Sequence, residues 1–291
     1  MKDTNKDDQP WVTLNNGIAI PALGFGVWQI DDETICENAV LKAIQTGYRM
    51  IDTASIYMNE KAVGMAIIKS GVARGDLFIT SKLWVQDHGY EQAKSAFQRT
   101  LDRLQLEYLD MYLLHWPFGD FIGAWKALEE LYKEGKIKAI GVCNFTIEKL
   151  EELKASSEIL PVVNQIELHP IFQQKELQMY NKENNMITEP WSPLGNGNNL
   201  ILKNETLLDI ANKYNKTVAQ VVLRWHLQEG FVVIPKSITP SRIEENFNVF
   251  DFELYENEMN SIRNIDTNTR LFFDPKDPEW EQKMLASKAD I

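Results

Sequence analysis

Four residues in this chain could move a proton if they were brought together: Asp52, Tyr57, Lys82 and His115. Asp52 ends the apolar pair Met50–Ile51, and Tyr57 follows five residues later in a polar turn; the stretch reads MIDTASIYMNE. A phenol with a pKa near ~10 exchanges protons poorly at neutral pH unless something stabilises its anion. An adjacent ammonium does so electrostatically, and a carboxylate beside that ammonium keeps it charged despite burial. A histidine at the same mouth can hydrogen-bond a substrate oxygen. Together the four would pass a proton to or from a carbonyl or alcohol oxygen. Taken singly, each has a plainer reading. Asp52 can cap a helix, Lys82 can snorkel from a strand end, His115 can be a satisfied core residue, and Tyr57 can be a half-buried loop residue.

What must position them is an alternation of short apolar runs and amphipathic stretches. The runs are RMIDT (49–53), LFITSK (77–82), LDMYLLH (109–115), IKAIGVCN (137–144), VVNQ (162–165), MITEPW (186–191) and FVVIPK (231–236). Between them, EQAKSAFQRTLDRL (91–104) and AWKALEELYKEG (124–135) carry apolar residues every three or four positions. Strand and helix alternating in this way read as βα units around a parallel sheet. The runs end at Asp52, Lys82, His115, Asn144, Gln165, Trp191 and Lys236, with successive gaps of 30, 33, 29, 21, 26 and 45 residues. Parallel strands share one C-terminal face, so these residues converge there, where the βα loops of an eight-stranded barrel build active sites.

The expected fold is therefore a (β/α)8 barrel forming one domain over 1–291. The long last gap leaves room for an extra helix, and TVAQVVLRWHLQEG (217–230) has the period for one. Asn15-Asn16-Gly17, between apolar runs, predicts a hairpin closing the other end of the barrel. The first barrel strand falls in LGFGVW (23–28). An open dinucleotide-binding sheet is disfavoured because Gly24-Phe25-Gly26 lacks the third glycine of that fingerprint.

Composition excludes several classes. The net charge of -12 argues against polyanionic partners such as nucleic acid or anionic membrane, so any anionic ligand needs a local positive cluster. No run approaches the ~20 apolar residues of a membrane span, and the opening MKDTNKDDQP is too polar for a signal peptide. The only cysteines, Cys36 and Cys143, suggest no disulfide framework; the protein is expected in the cytosol. The four histidines are scattered, no metal is expected, and neither a phosphate loop nor a nucleophile elbow is present.

The segments IDTASIYMNE, TSKLW, LLHWP, GVCNF, NQIELHP, WSPLG and IPKSITPSRIEEN resemble, in order, the signatures of the aldo-keto reductase superfamily. The short loops after His115 and Asp266 resemble the bacterial branch with 2,5-diketogluconate and glyoxal reductases. The resemblance implies NADPH-dependent reduction of an aldehyde or ketone to an alcohol; the chain itself is expected to act as a monomer. It makes Tyr57 the general acid, Lys82 and Asp52 its tuning pair, and His115 the residue orienting the carbonyl. It implies that Asn144 and Gln165 hold the nicotinamide carboxamide and that Trp191 stacks on the ring. Lys236, Ser237 and Arg242 match a 2′-phosphate site, with Glu245 and Asn246 at the adenine. Gly26, Val27, Asp52, Cys143, Ser192 and Leu194 fall at further cofactor positions. Trp28, Trp84 and Trp116, with Phe118 or Phe272, would line an apolar substrate pocket. Two positions depart from the family pattern: Cys143 stands where a serine is usual, and Trp191 where tyrosine or phenylalanine is commoner. A thiol is the weaker donor, while an indole keeps a stacking face. Read from the residues alone, IPKSITPSR could also be a helix start capped by Ser241. A Schiff-base lyase using Lys82, a non-catalytic NADPH-binding regulatory barrel and a purely structural barrel remain as alternatives.

Overall fold

The computed structural model describes residues 9–289 and 291; most of the polar opening segment, residues 1–8, lies outside the described residues. Strands β1 (Trp11–Thr13) and β2 (Ala19–Pro21) pair antiparallel across the Asn15-Asn16-Gly17 turn, where Gly17 takes φ +85°. That left-handed conformation favours glycine. Leu14 and Ile20 of this hairpin pack with Met50, Phe78 and Met111, while Asn15 and Asn16 donate to the carbonyls of Pro161 and Lys138. The hairpin thus plugs the N-terminal end of the strands that follow, as the turn signal predicts.

Those strands are β3 (Phe25–Gly26), β4 (Met50–Asp52), β5 (Phe78–Leu83), β6 (Leu109–Leu114), β7 (Ile137–Cys143), β8 (Val163–Glu167) and β9 (Ile187–Trp191), hydrogen-bonded in that order as one parallel sheet. The expected eighth strand is an extended segment, not a full one. Val233 donates to the Ala22 carbonyl, Gly24 to that of Val233 and Gly26 to that of Pro235, while Val232 reaches the Thr188 carbonyl at 3.4 Å. These bonds join β3 to β9 and close the barrel. Pro235 has no N–H to donate, which is why the pairing thins here.

Helices α1 (Glu33–Thr46), α2 (Glu60–Ser70), α3 (Tyr90–Leu104), α4 (Phe121–Lys133), α5 (Ile147–Lys154) and α6 (Lys175–Glu183) follow β3 to β8 in turn. After β9 come α7 (Asn199–Leu202), α8 (Glu205–Tyr214) and α9 (Val218–Gln228), then α10 (Pro240–Phe247), α11 (Glu256–Arg263) and α12 (Pro278–Ala286). The extra helical segment lies in the long gap, and its 217–230 stretch is α9, started by a Thr217–Gln220 capping box. Strand residues alternate between faces. Ile51, Ile79, Leu83, Tyr112 and Val142 pack outward on the helices, whereas Met50, Phe78, Met111, Leu113, Ala139 and Cys143 fill the barrel. No described helix is long and apolar enough to cross a membrane.

Two core histidines make the fold acid-sensitive. His88 and His226 hydrogen-bond backbone carbonyls at Phe118 and Val222, and burial pulls each ring down to about 4. Between that value and ~6.5 the unfolded chain binds more protons than the folded one, so stability falls as pH drops through this window. At pH 5 each ring should cost about 2 kcal/mol relative to neutral pH. In urea titrations the loss between pH 7 and pH 5 should shrink by about that amount in His226→Gln; an unchanged loss would show that His226 is not held neutral.

Candidate active site

Strand parity places the floor of the site. Asp52 lies two residues beyond Met50 and Lys82 four beyond Phe78, so both side chains continue the inward rows of β4 and β5. Lys82 has no exposed side chain. Its Nζ donates to Asp52 Oδ1 at 2.5 Å, to the Thr53 carbonyl at 2.9 Å and to the Tyr57 hydroxyl at 3.4 Å. All three ammonium hydrogens are used. Asp52 Oδ2 accepts from Gln165 Nε2 at 3.0 Å, so the carboxylate is held from β5 and β8 together.

Tyr57 reaches this floor from a loop. A short 3-10 turn, Ser55–Tyr57, is followed by Met58 at φ +56°. Ser55 donates to the Lys82 carbonyl. Asn59 accepts from Thr53 and donates to the carbonyls of Val27 and Ile30. Glu60 accepts from Ser81 and Arg103. These buried bonds tie the turn down on both sides, so the half-buried phenol is a fixed point. Because Lys82 donates to the phenolic oxygen, the phenol's own hydrogen is left to donate elsewhere.

The electrostatics follow from burial and charge. Burial pushes the Tyr57 phenol up, Lys82 pulls it down and Asp52 pushes it up again; the net shift is upward, so the phenol holds its proton at neutral pH. Burial would strip the charge from Lys82, but the charge and hydrogen bond of Asp52, with smaller contributions from Tyr57 and Cys143, together outweigh it and the ammonium is held above its ordinary value. Burial, then Lys82 and His88, keep His115 well below the usual imidazole range, so its ring is uncharged. Glu189, an inward residue of β9, is raised well above the carboxylate range by burial and then by Asp52. It sits as a neutral acid near the floor.

Above the floor a cavity of about 1160 Å³ opens. Gly26, Trp28, Asp52, Tyr57, Trp84, His115, Trp116, Asn144, Gln165, Trp191, Ser192 and Leu194 all line it. Lys82, Val27 and Cys143 do not. Lys82 lies beneath Tyr57, Val27 is buried in the helix-facing core, and parity turns Cys143 into the barrel interior. Burial holds the Cys143 thiol well above its usual range. Asn144, one residue on, adopts φ +61°, a conformation asparagine tolerates, and so reaches the rim.

Aromatic rings wall the cavity. His115 sits edge-on to Tyr57 and Trp84, with ring centroids 5.6 and 5.1 Å apart. Phe272 supports Trp28 and Trp191 edge-on without lining the cavity, and Phe118 stacks behind Trp116. Phe273, Trp280 and Met284, from α12 and the loop before it, complete the wall; neither apolar run nor strand spacing marks them in the sequence.

The far end of the same cavity is lined by Lys236, Ser237, Arg242, Glu245 and Asn246, around the start of α10. Lys236 and Arg242 are exposed, and neither has an ion-pair partner among the described residues. Two unpaired cations beside a helix N-terminus suit an anion. Thr239, not Ser241, occupies the cap position, and its N–H bonds the Ser237 hydroxyl at 3.1 Å.

The sequence profile of the aldo/keto reductase family matches residues 22–267. The chain belongs to the aldo/keto reductase family. It is 51% identical over 266 residues to the 9,11-endoperoxide prostaglandin H2 reductase of Trypanosoma cruzi, covering 91% of this chain and 94% of that one. It is likewise 51% identical over 272 residues to the glyoxal reductase of Bacillus subtilis, covering 93% and 95%. Among solved structures, an aldo-keto reductase of Bombyx mori in complex with NADP superposes with a TM-score of 0.85 at 32% identity, covering 91% and 95%.

For an aldo/keto reductase the residues present fit a phosphorylated nicotinamide dinucleotide. One cavity joins a cationic helix start to a flat indole and a primary amide near the proton-bearing phenol. Its volume exceeds the ~300–1,000 Å³ common for single small ligands, so there is room for a dinucleotide with a small substrate. Among the described residues no group of acidic, histidine or cysteine side chains is arranged to hold a metal ion.

Proposed function

We propose that this aldo/keto reductase reduces small aldehydes and ketones to alcohols with NADPH, and that Tyr57 is its general acid. The observation carrying this reading is the hydrogen-bond order at the floor. The Lys82 ammonium, paired with Asp52, donates to the Tyr57 oxygen and leaves the phenolic hydrogen for a substrate. NADPH, when bound, supplies the hydride that reduces the carbonyl carbon. Tyr57 gives its proton to the carbonyl oxygen, and the adjacent ammonium stabilises the phenolate that remains. His115, uncharged and between Tyr57 and Trp84, orients that oxygen without adding a second positive charge. Asn144 and Gln165 hold the carboxamide end, Trp191 supplies the stacking face, and Lys236 with Arg242 grips the 2′-phosphate.

The likeness to a glyoxal reductase supports a short dicarbonyl or aldehyde as substrate. Buried, unpaired Cys36 and Cys143 support a reducing compartment, hence a cytosolic protein. Large exposed apolar side chains come singly from separate elements, which supports one domain acting as a monomer. Lys82 is ill suited to Schiff-base chemistry, which needs a lysine that loses its proton easily.

Consumption of NADPH with glyoxal, methylglyoxal and larger carbonyl compounds tests the reaction directly; no consumption with any of them would refute it. Lys236→Ala and Arg242→Ala should each raise the Kd for NADPH about tenfold or more, the worth of one charge-assisted bond. The Kd for NADH should change much less. Equal losses for both dinucleotides would argue that neither cation meets a 2′-phosphate.

A further inference from the structure

The indole of Trp191 does more than offer a flat face. Its Nε1 donates to Asn144 Oδ1 at 2.9 Å, and Asn144 Nδ2 in turn donates to the His115 carbonyl at 3.1 Å. The Asn144 backbone N–H donates to the Gln165 carbonyl at 2.9 Å. These bonds fix which end of the Asn144 amide is oxygen and which is nitrogen, a choice that an isolated asparagine side chain leaves open. They also leave one Nδ2 hydrogen and one Oδ1 lone pair unused, the complement of a primary carboxamide. The neighbouring Cys143 cannot do this work, because it is fully buried, turned into the barrel and a weak donor. Trp28 and Phe272 brace Trp191 from the side, at centroid distances of 6.3 and 5.2 Å. A phenylalanine at position 191 would keep the stacking face and lose the N–H; a tyrosine would lose the same nitrogen.

We infer that Trp191 is a positioning residue: its indole N–H locks the Asn144 amide into the one orientation that accepts a nicotinamide carboxamide. The same relay, Trp191 to Asn144 to the His115 carbonyl, ties the cofactor face to the loop that carries the substrate-orienting histidine. The inference rests on the functional reading above, because it needs a nicotinamide in the cavity.

A binding cycle tests it without turnover. Trp191→Phe should raise the Kd for NADPH about tenfold, the worth of one buried hydrogen bond and the ordering it imposes. Binding of 2′-phospho-ADP-ribose, which carries the anionic half and no nicotinamide, should change less than about twofold. That also reports that the variant is folded. In an Asn144→Ala background, Trp191→Phe should weaken NADPH by less than about threefold further, since the indole then has nothing to orient. If Trp191→Phe does not fold, Trp191→Leu serves the same cycle, because it too lacks the donor and its lost stacking is common to both backgrounds. An equal loss in both backgrounds would show that Trp191 acts by stacking alone and overturn the inference. Failure of the wild-type protein to bind NADPH would overturn the functional reading with it, whereas tight wild-type binding with an additive cycle overturns this inference by itself.

Discussion

Tyr57→Phe should lower kcat about a thousandfold and leave the Kd for NADPH within about twofold, because general-acid catalysis contributes roughly 10²–10⁴ and the ring itself is retained. The substitution removes one oxygen from a turn held by Ser55, Asn59 and Glu60, so the loop should stay where it is. Among the described residues, the hydrogen bond that oxygen forfeits is the 3.4 Å one from Lys82, at the long end of hydrogen-bond geometry. Loss of activity therefore cannot be ascribed to unfolding, and equal melting temperatures for the two proteins would check this. The pH profile gives a second readout. Burial holds the phenol protonated well into the alkaline range, and His115 stays neutral down to acid pH. Carbonyl reduction should thus show no inflection between pH 6 and pH 8. Alcohol oxidation needs the phenolate and should rise with pH. Turnover that survives Tyr57→Phe would remove this residue from the mechanism.

Much of this geometry is legible in the chain because the sheet enforces a period of two. Asp52, Lys82, Gln165 and Trp191 stand on inward rows that begin with Met50, Phe78, Val163 and Ile187. Counting by twos along an apolar run therefore finds the floor. The same count places Cys143 inside the barrel, since it continues the Ala139 row, and it marks Glu189, two residues before Trp191, as an inward acid. Glu189 is thus recoverable from the run MITEPW, where an acid stands among strand residues. The eighth barrel position is less regular than a run of Val, Val and Ile implies, because Pro235 interrupts donation. Phe273, Trp280 and Met284 carry no such mark. Their place over the cavity depends on how the chain after α11 folds back. Leu271 N–H and Arg270 reach Glu167 at the end of β8, and Ala289 and Gln86 exchange two hydrogen bonds. Contacts across more than one hundred residues leave no local period to read.

Lys82→Met should be inactive and also unstable, and the two effects can be separated. Methionine keeps much of the lysine stem but removes the charge that faces Asp52 and Tyr57. Among the described residues, Asp52, almost wholly buried, would then keep only the Gln165 amide against its carboxylate. Breaking one side of a buried ion pair typically costs about 3–5 kcal/mol, so a large drop in the urea midpoint should follow. Asp52→Asn should lower stability for the mirror-image reason, leaving an ammonium without its counter-charge. The double variant, Lys82→Met with Asp52→Asn, removes both charges and should be more stable than either single variant. Its kcat should nonetheless stay at least a thousandfold below wild type, because a phenol with no neighbouring cation must give up its proton against its own raised pKa. Recovery of stability without recovery of turnover would place the catalytic role of Lys82 in its charge. Turnover returning with stability would instead reduce the pair to a structural element of the barrel floor, and Tyr57 would need another source for the stabilisation of its anion.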